Sequence, residues 1–444
     1  MRRIPPCNKL FLLSYSLLML TTFAVFAPKL SAETASESWS LEALLAWGLK
    51  NHPLLQQAEG SIVSAKARLG QSQTTLSTKI TTSAGYNRRR QEFSSAWRSG
   101  ISHDDLTDST NNSIAVQKVI NDSGRTRELI KAGDLSLKAS LRDRDTQRIE
   151  IANDIKTAYY QTLQAKAMIK VQSDSLEGFK THLQKTRGYV EVGTRPPFDI
   201  TTAEVDVANA QVNLIKAESN YRNTLAELAR TTGLEETIEI MEPASQPEPI
   251  SHPMNEEEFH RELQNRPDIA AADLRIQAAT HQLNNAKKGL KPTLSTSASY
   301  GWQGTYTPLD RAWVVGLNLN IPVLDGKMTK YQKMDAEGSL ISARSHLSSV
   351  RVDARAALET AITGVADAFK RYEASNVLLR QASESLKLAE GRYDAGLGSP
   401  IEITDARTQY SNARGTLVTA FYDTLIALTR LDLALGKFPE EHHQ

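Results

Sequence analysis

The sequence predicts a mostly α-helical protein with membrane β-hairpins, built from two copies of one structural plan. Two proline-free stretches, 125–187 and 327–393, are rich in residues that favour helices. Shorter segments alternate apolar and polar residues, as strands in a membrane do. A segment that begins at Val192 recurs 203 residues later, which indicates an internal duplication.

Residues 1–32 are predicted to be a signal peptide. Basic residues precede an apolar run over residues 10–26, and Ser31 and Ala32 supply small residues at a predicted cleavage site. The alternative is a transmembrane anchor. The run is shorter than the ~20 residues that a spanning helix needs, so we favour the signal peptide.

The charge and the residue types argue against several classes of function. The chain of 444 residues has a formal net charge of +1, and without the basic residues of the signal peptide the charge is −3, which does not favour nucleic-acid binding. The single cysteine, Cys7, lies in the predicted signal peptide, so no disulfide is expected elsewhere. Motifs for phosphate loops, metal-binding histidines and nucleophiles do not occur. We expect no enzyme activity, no catalytic residue, no cofactor and no metal site.

The internal repeat is clearest where Val192–Thr201 aligns with Ala395–Thr404. The same offset relates Gly233 to Gly436. Prolines cluster between the two copies and indicate an extended connector. The predicted domains are the signal peptide 1–32, a first repeat 33–242, a Pro-rich linker 243–253 and a second repeat 254–444.

Each repeat is predicted to contain a helix, a β-hairpin, a long helix and a returning helix. A helix over either proline-free stretch would be ~100 Å long, a length typical of coiled coils. Asp122 and Asp325 precede the two long helices, where an aspartate can cap the helix N-terminus. The predicted elements are the hairpin 78–121, the long helix 125–187 and the returning helix 198–233, followed by the hairpin 293–321, the long helix 327–393 and the returning helix 400–436.

Small and apolar residues recur at alternating steps of four and three along both returning helices. The stripes run from Ala203 to Leu228 and from Ala406 to Leu431. A seven-residue repeat predicts a supercoiled contact with a neighbouring helix. On this feature alone, a plain two-helix coiled-coil scaffold is an equal alternative.

The best strand alternates large apolar residues, from Trp313 to Ile321, with small or polar ones. This pattern fits lipid on one side and water on the other. The alternative is a sheet in water that packs on a helix. Four strands leave open edges, which lipid does not tolerate, so several chains would have to share one barrel. Residues 88–112 are predicted to be a polar loop whose first residues, Arg88–Arg90, face solvent or lipopolysaccharide, with a ligand site as the alternative.

These elements, in this order and duplicated, resemble the TolC family of outer-membrane efflux proteins. The motifs that carry the resemblance are Arg266–Ile269, Ile321–Gly326, Val192–Arg195 and Arg392–Gly396. The resemblance implies a TolC-like trimer in which three chains share a 12-stranded β-barrel in the outer membrane. A long α-helical coiled-coil barrel would continue into the periplasm, with the linker in an equatorial region.

The resemblance also implies where the channel meets its partners and where it closes. Adaptor docking would involve the tip turns, at Gly193, Thr194, Gly396, Leu397, Gly398 and Ser399. The periplasmic entrance constriction would be lined by Glu402, Asp405 and Asp199. A gate latch would involve Arg195 and Tyr393. Glu402 and Asp405 share a helix face, and the alternative is that they are only acids favoured by the helix dipole.

The function implied by the resemblance is a passive exit duct of a tripartite export system. The expected partners are two further copies of the chain, a periplasmic membrane-fusion adaptor, an inner-membrane ABC transporter and outer-membrane lipid. Because no lipidated cysteine is predicted, we favour type I secretion of a large protein such as an adhesin or toxin. The alternatives are the channel of a drug or metal efflux pump driven by protons, and a secreted periplasmic coiled-coil scaffold.

Overall fold

The computed structural model describes residues 38–93, 103–234, 239–241, 261–262, 265–304 and 309–438. The predicted signal peptide and the Pro-rich linker lie outside these residues. In chain order, the elements are the strand β1 (Ser38–Trp39), the helices α1 (Leu41–Asn51) and α2 (Pro53–Gln73), the strands β2 (Lys79–Phe93) and β3 (His103–Asn121), the helices α3 (Arg125–Glu191) and α4 (Phe198–Thr232), the strand β4 (Glu239–Ile240), the helix α5 (Pro267–Lys287), the strands β5 (Thr293–Gly304) and β6 (Asp310–Asn320), and the helices α6 (Met328–Asp394) and α7 (Pro400–Leu435).

The helix lengths repeat the internal duplication. The helices α2 and α5 have 21 residues each, and α3 and α6 have 67 residues each. The returning helices α4 and α7 have 35 and 36 residues. Each long helix therefore extends for about 100 Å. The predicted fold class, mostly helical with β-hairpins in two repeats, is confirmed.

The four long strands form one antiparallel sheet in the order β2-β3-β5-β6. Four large apolar side chains along β6 are 63–73% exposed, at Trp313, Val315, Leu317 and Leu319. Among the described helices, none makes an extended contact with this sheet. Burying such a side chain is worth about 1.5–3 kcal/mol, so this face is poorly suited to water. The alternative of a sheet packed on a helix is therefore not supported.

None of the helices in the described ranges is both long enough and apolar enough to cross a membrane.

The predicted polar loop over residues 88–112 is wrong, because the hairpin strands extend through most of it. The strand β2 continues to Phe93, and β3 begins at His103. Arg88 pairs with Asp108 across the ladder, and its Nε lies 3.4 Å from Asp108 Oδ1. Opposite charges on facing strands stabilise a ladder even where no apolar face is present. Since neighbouring strand residues point to opposite faces, Arg88 and Arg89 do not form one cluster.

A seam of alanines joins each returning helix to its long helix. The helix α4 packs on α3, and α7 packs on both α6 and α3. The order across this part of the molecule is therefore α4, α3, α7, α6. Alanines are buried at seven-residue intervals along both returning helices, at Ala203, Ala210 and Ala217 and at Ala406, Ala413 and Ala420. The predicted heptad contact is confirmed.

Both long helices begin at an aspartate that binds backbone N–H groups. Asp122 Oδ2 accepts a hydrogen bond from Thr126 N at 2.7 Å, and Asp325 Oδ2 accepts one from Thr329 N at 2.8 Å. Burial acts to raise the pKa of Asp122. Hydrogen bonds from Thr126 and Gly124 outweigh it, so the pKa lies below its ordinary value.

We predict that Asp122→Ala lowers the stability of the sheet-to-helix junction by about 1 kcal/mol at neutral pH, as loss of a helix cap does. Since the pKa is lowered in the folded state, this contribution is complete above the ordinary aspartate pKa. It is lost as the pH falls through the lowered value. Thermal unfolding of the purified protein at pH 7 and pH 3 measures the effect. The control Asp335→Ala changes an exposed carboxylate farther along α6, and an equal loss in both variants would contradict the prediction.

Candidate functional site

The turns that end the two long helices have the same backbone conformation. Gly193 and Gly396 adopt positive φ angles of 74° and 76°, which favour glycine. Thr194 N donates to Tyr189 O at 2.9 Å, and Leu397 N donates to Arg392 O at 2.8 Å. Because α3 and α6 both start at the sheet, both turns lie at the end of the helices remote from it. We call this region the tip.

The two turns are joined within one chain by Arg195. Its Nη2 donates a hydrogen bond to Gly398 O at 2.9 Å, and its guanidinium carbon lies 4.6 Å from the centre of the Tyr393 ring. The backbone is so close that a Cβ on Gly398 would lie 2.9 Å from Tyr393 N. The structure therefore brings together the two residues of the predicted latch, and glycine at position 398 permits the approach.

Tyr393 is the buried centre of the tip. Its side chain is 2% exposed, and its hydroxyl lies 3.3 Å from Thr186 Oγ1. The rings of His182 and Tyr189 meet it edge to face, at centroid distances of 5.3 and 5.8 Å. Sequence reasoning missed His182 and Thr186. Their spacing of four residues on α3 places them on one helix face, and this was the available indication.

His182 is uncharged at neutral pH. Burial lowers its pKa to about 4, and the positive charges of Arg407 and Lys185 act in the same direction, while Asp394 opposes them. A neutral imidazole can pack against Tyr393 without introducing a buried charge.

The three predicted constriction acids occupy different environments. Glu402 is exposed and forms an ion pair with Arg392, whose Nε lies 3.3 Å from Glu402 Oε2. Asp405 is exposed and forms no ion pair within the described residues. Asp199 is only 8% exposed, and its Oδ2 has no hydrogen-bond partner in the described part of the chain. Of the two exposed acids, Glu402 is therefore the one whose charge is offset by an ion pair within the described residues.

A fourth acid, Asp206, also lies at the tip. Thr404 Oγ1 on α7 donates a hydrogen bond of 2.7 Å to Asp206 Oδ2 on α4. The pKa of Asp206 is raised mainly by burial, with a further rise from Asp405, while the hydrogen bond from Thr404 lowers it. Sequence reasoning missed Asp206. Its position on α4 between the buried residues Ala203 and Ala210 was the available indication.

Five of the six predicted docking residues form the exposed rim of the tip, and the sixth, Gly398, is buried. Gly193, Thr194, Gly396 and Leu397 are exposed, and the Leu397 side chain is 77% exposed. Ser399 caps α7, since its Oγ accepts a hydrogen bond from Glu402 N at 3.4 Å. Gly398 is buried beneath the Arg195 contact.

The arrangement suits the holding together of helix pairs rather than chemistry. Hydrogen bonds and ring contacts join the first turn to the second and α4 to α7. Groups of three or more histidine, cysteine, aspartate or glutamate residues that could hold a metal ion do not occur in the described ranges.

The chain is similar in sequence to the outer membrane protein TolC of Escherichia coli (strain K12), to which it is 24% identical over 306 residues. That alignment covers 64% of this chain and 61% of TolC, so the chain matches less than two thirds of this relative. The probable efflux pump outer membrane protein TtgC of Pseudomonas putida is 23% identical, with 70% of this chain and 66% of TtgC covered.

The fold is also found in solved structures. The Campylobacter jejuni CmeC outer membrane channel superposes with a TM-score of 0.79 at 18% identity, over 89% of this chain and 85% of CmeC. The family model described as outer membrane efflux protein matches residues 45–234 and 259–437, which include both tip turns. The chain therefore belongs to the outer membrane efflux protein family.

Proposed function

We propose that three copies of this chain form an outer-membrane channel that extends into the periplasm and serves as the passive exit duct of a tripartite export system. The observation that carries the proposal is the four-stranded sheet with an exposed apolar face, joined to two helices of 67 residues. One chain leaves β2 and β6 as open edges. Three chains would close a sheet of twelve strands and satisfy every edge.

The tip is the proposed periplasmic entrance. Its exposed rim is available to a periplasmic adaptor, which would connect the duct to an inner-membrane transporter. Family membership supports this arrangement, because the resemblance to the TolC family implies a trimer that docks with an adaptor and an inner-membrane transporter. Transport, and no catalysis, is the activity that follows.

For the cargo, we propose a large protein exported by a type I system with an ABC transporter. The sequence supports this because its only cysteine precedes the predicted cleavage site and is not placed to carry a lipid anchor. The second candidate is small-molecule efflux by a proton-driven pump. It is favoured by the similarity to TtgC, whose name describes an efflux pump protein.

A comparison of culture supernatants from a deletion strain and its parent tests the cargo. Loss of one large protein, restored by the gene on a plasmid, would support type I export. An unchanged supernatant combined with increased sensitivity to drugs or metals would contradict protein export and support the efflux pump.

We predict that Arg195→Ala weakens the closed entrance and raises the conductance of single channels in planar bilayers. The change removes both the hydrogen bond to Gly398 and the contact with Tyr393, and a cation–π contact is worth about 0.5–2 kcal/mol. Arg195→Lys should have an intermediate effect, because lysine keeps the charge and loses the planar stacking. The control is Arg222→Ala, at an exposed position on α4. Equal conductance of Arg195→Ala and the parent would remove the latch.

We also predict that Glu402→Ala combined with Asp405→Ala lowers the cation selectivity of the channel, because a ring of carboxylates attracts cations. Asp405→Ala alone should have a larger effect than Glu402→Ala alone, since Arg392 offsets the charge of Glu402. Reversal potentials in a salt gradient measure the selectivity. Unchanged reversal potentials in the double variant would show that these acids do not line the constriction.

A further inference from the structure

The contact between Asp206 and Thr404 joins two helices that otherwise barely meet. The two residues are 198 positions apart, and their side chains are 2.7 Å apart. Along most of their length α4 and α7 are separated by α3, and they share no extended contact. Because the hydrogen bond joins α4 and α7 directly and not through α3, it limits the distance between these two helices at the tip.

The hydrogen bond between Asp206 and Thr404 depends on the position of α7. Asp206 is partly buried and lies near the acid Asp405. Burial and the negative charge of Asp405 both disfavour the charged form of Asp206. Thr404 supplies the side-chain hydrogen bond that favours the charged form. If α7 moves away, this compensation is lost and water must replace it. The hydrogen bond from Thr404 therefore stabilises the arrangement in which the helices are together, and it offsets part of the cost of burying the Asp206 carboxylate beside Asp405.

The internal repeat supplies a natural control for this contact. The equivalents of Thr404 and Asp206 in the other copy are Thr201 and Gln409. Both are exposed, and the acid is absent. The contact therefore uses residues that the duplication did not keep in both halves.

We propose that Asp206 is a positioning residue of the entrance, and that its hydrogen bond with Thr404 ties α4 to α7 in the closed state. This tie is separate from the Arg195 latch, which joins the first turn to Gly398 and Tyr393. The inference rests on the proposed channel function, and it adds to that function a residue on which closure depends.

The first test measures channel opening. Thr404→Val removes the donor at nearly constant shape, and Asp206→Ala removes the acceptor. Thr404→Val should raise the open probability in planar bilayers about tenfold, the effect expected from loss of a hydrogen bond to a charged group. Asp206→Ala should raise it less, because this change also removes the buried charge and its repulsion with Asp405. Thr404→Ser keeps a hydrogen-bond donor and Asp206→Asn keeps an acceptor, so the open probability of both variants should equal that of the parent. The control Thr201→Val should also match the parent.

The second test measures the contact without relying on transport. In a Cys7→Ser background, the chain with Asp206→Cys and Thr404→Cys contains no other cysteine. Mild oxidation of the full-length protein should produce a cross-link within one chain that is reversed by reductant and detected by its shifted gel migration. The pair Thr201→Cys and Thr404→Cys is the control and should not produce this product.

The outcomes separate the two proposals. The proposed tie would be refuted if no cross-link formed. It would also be refuted if the variants at Asp206 and Thr404 stayed closed while Arg195→Ala opened. Asp206→Asn behaving like Asp206→Ala would also overturn it, because the acceptor is kept in the former. A cross-link in a protein that forms no channel in any variant would refute the channel function and the entrance role together, leaving only the contact.

Discussion

The alanine seam between each returning helix and its long helix is the interaction on which the rest of the structure depends. A residue with a single methyl group lets two helices approach closely along their whole length, and the seven-residue spacing keeps that contact on one face. Larger residues at Ala210 or Ala413 would separate the helices and displace the turn that joins them. The positions of Arg195 and Thr404 at the tip follow from these contacts, because both lie at the ends of helices that the seam holds in place.

The two halves share a backbone plan and differ in the side chains at the tip. Turn glycines, helix lengths and alanine spacing are repeated. Arg195 is replaced by glycine at the equivalent position 398, and the two positions contact each other. A bulky side chain at both positions could not fit there, since Gly398 has no room for a Cβ. The duplication therefore provides two turns with the same backbone conformation. The difference between Arg195 and Gly398 allows the first turn to contact the second.

The energies at the tip are small compared with those of a folded core. The exposed ion pair of Arg392 and Glu402 is worth about 0–1 kcal/mol, and the Arg195 contact with Tyr393 about 0.5–2 kcal/mol. A hydrogen bond to the Asp206 carboxylate is worth about 1.5–3 kcal/mol. In the proposed channel, contacts of this size would hold the helices together at rest and would be exchanged for contacts with a bound partner. The alanine seam, which buries residues over many turns, would remain intact during such a change.

The sequence by itself determined the repeat, the helix periodicity, the strand alternation and the capping aspartates, because each depends on residues close together in the chain. It also identified Arg195 and Tyr393 through a family resemblance, although not the contact between them. The sequence did not predict the length of the β2–β3 hairpin. Many residues in its outer part are polar, so this part of the hairpin has the composition of a loop. Only the tertiary structure showed that Thr404 binds Asp206, that Arg392 compensates Glu402 and that Asp199 is buried. These features depend on how α4, α3, α7 and α6 pack, and a pairing across 198 residues leaves no local pattern in the sequence.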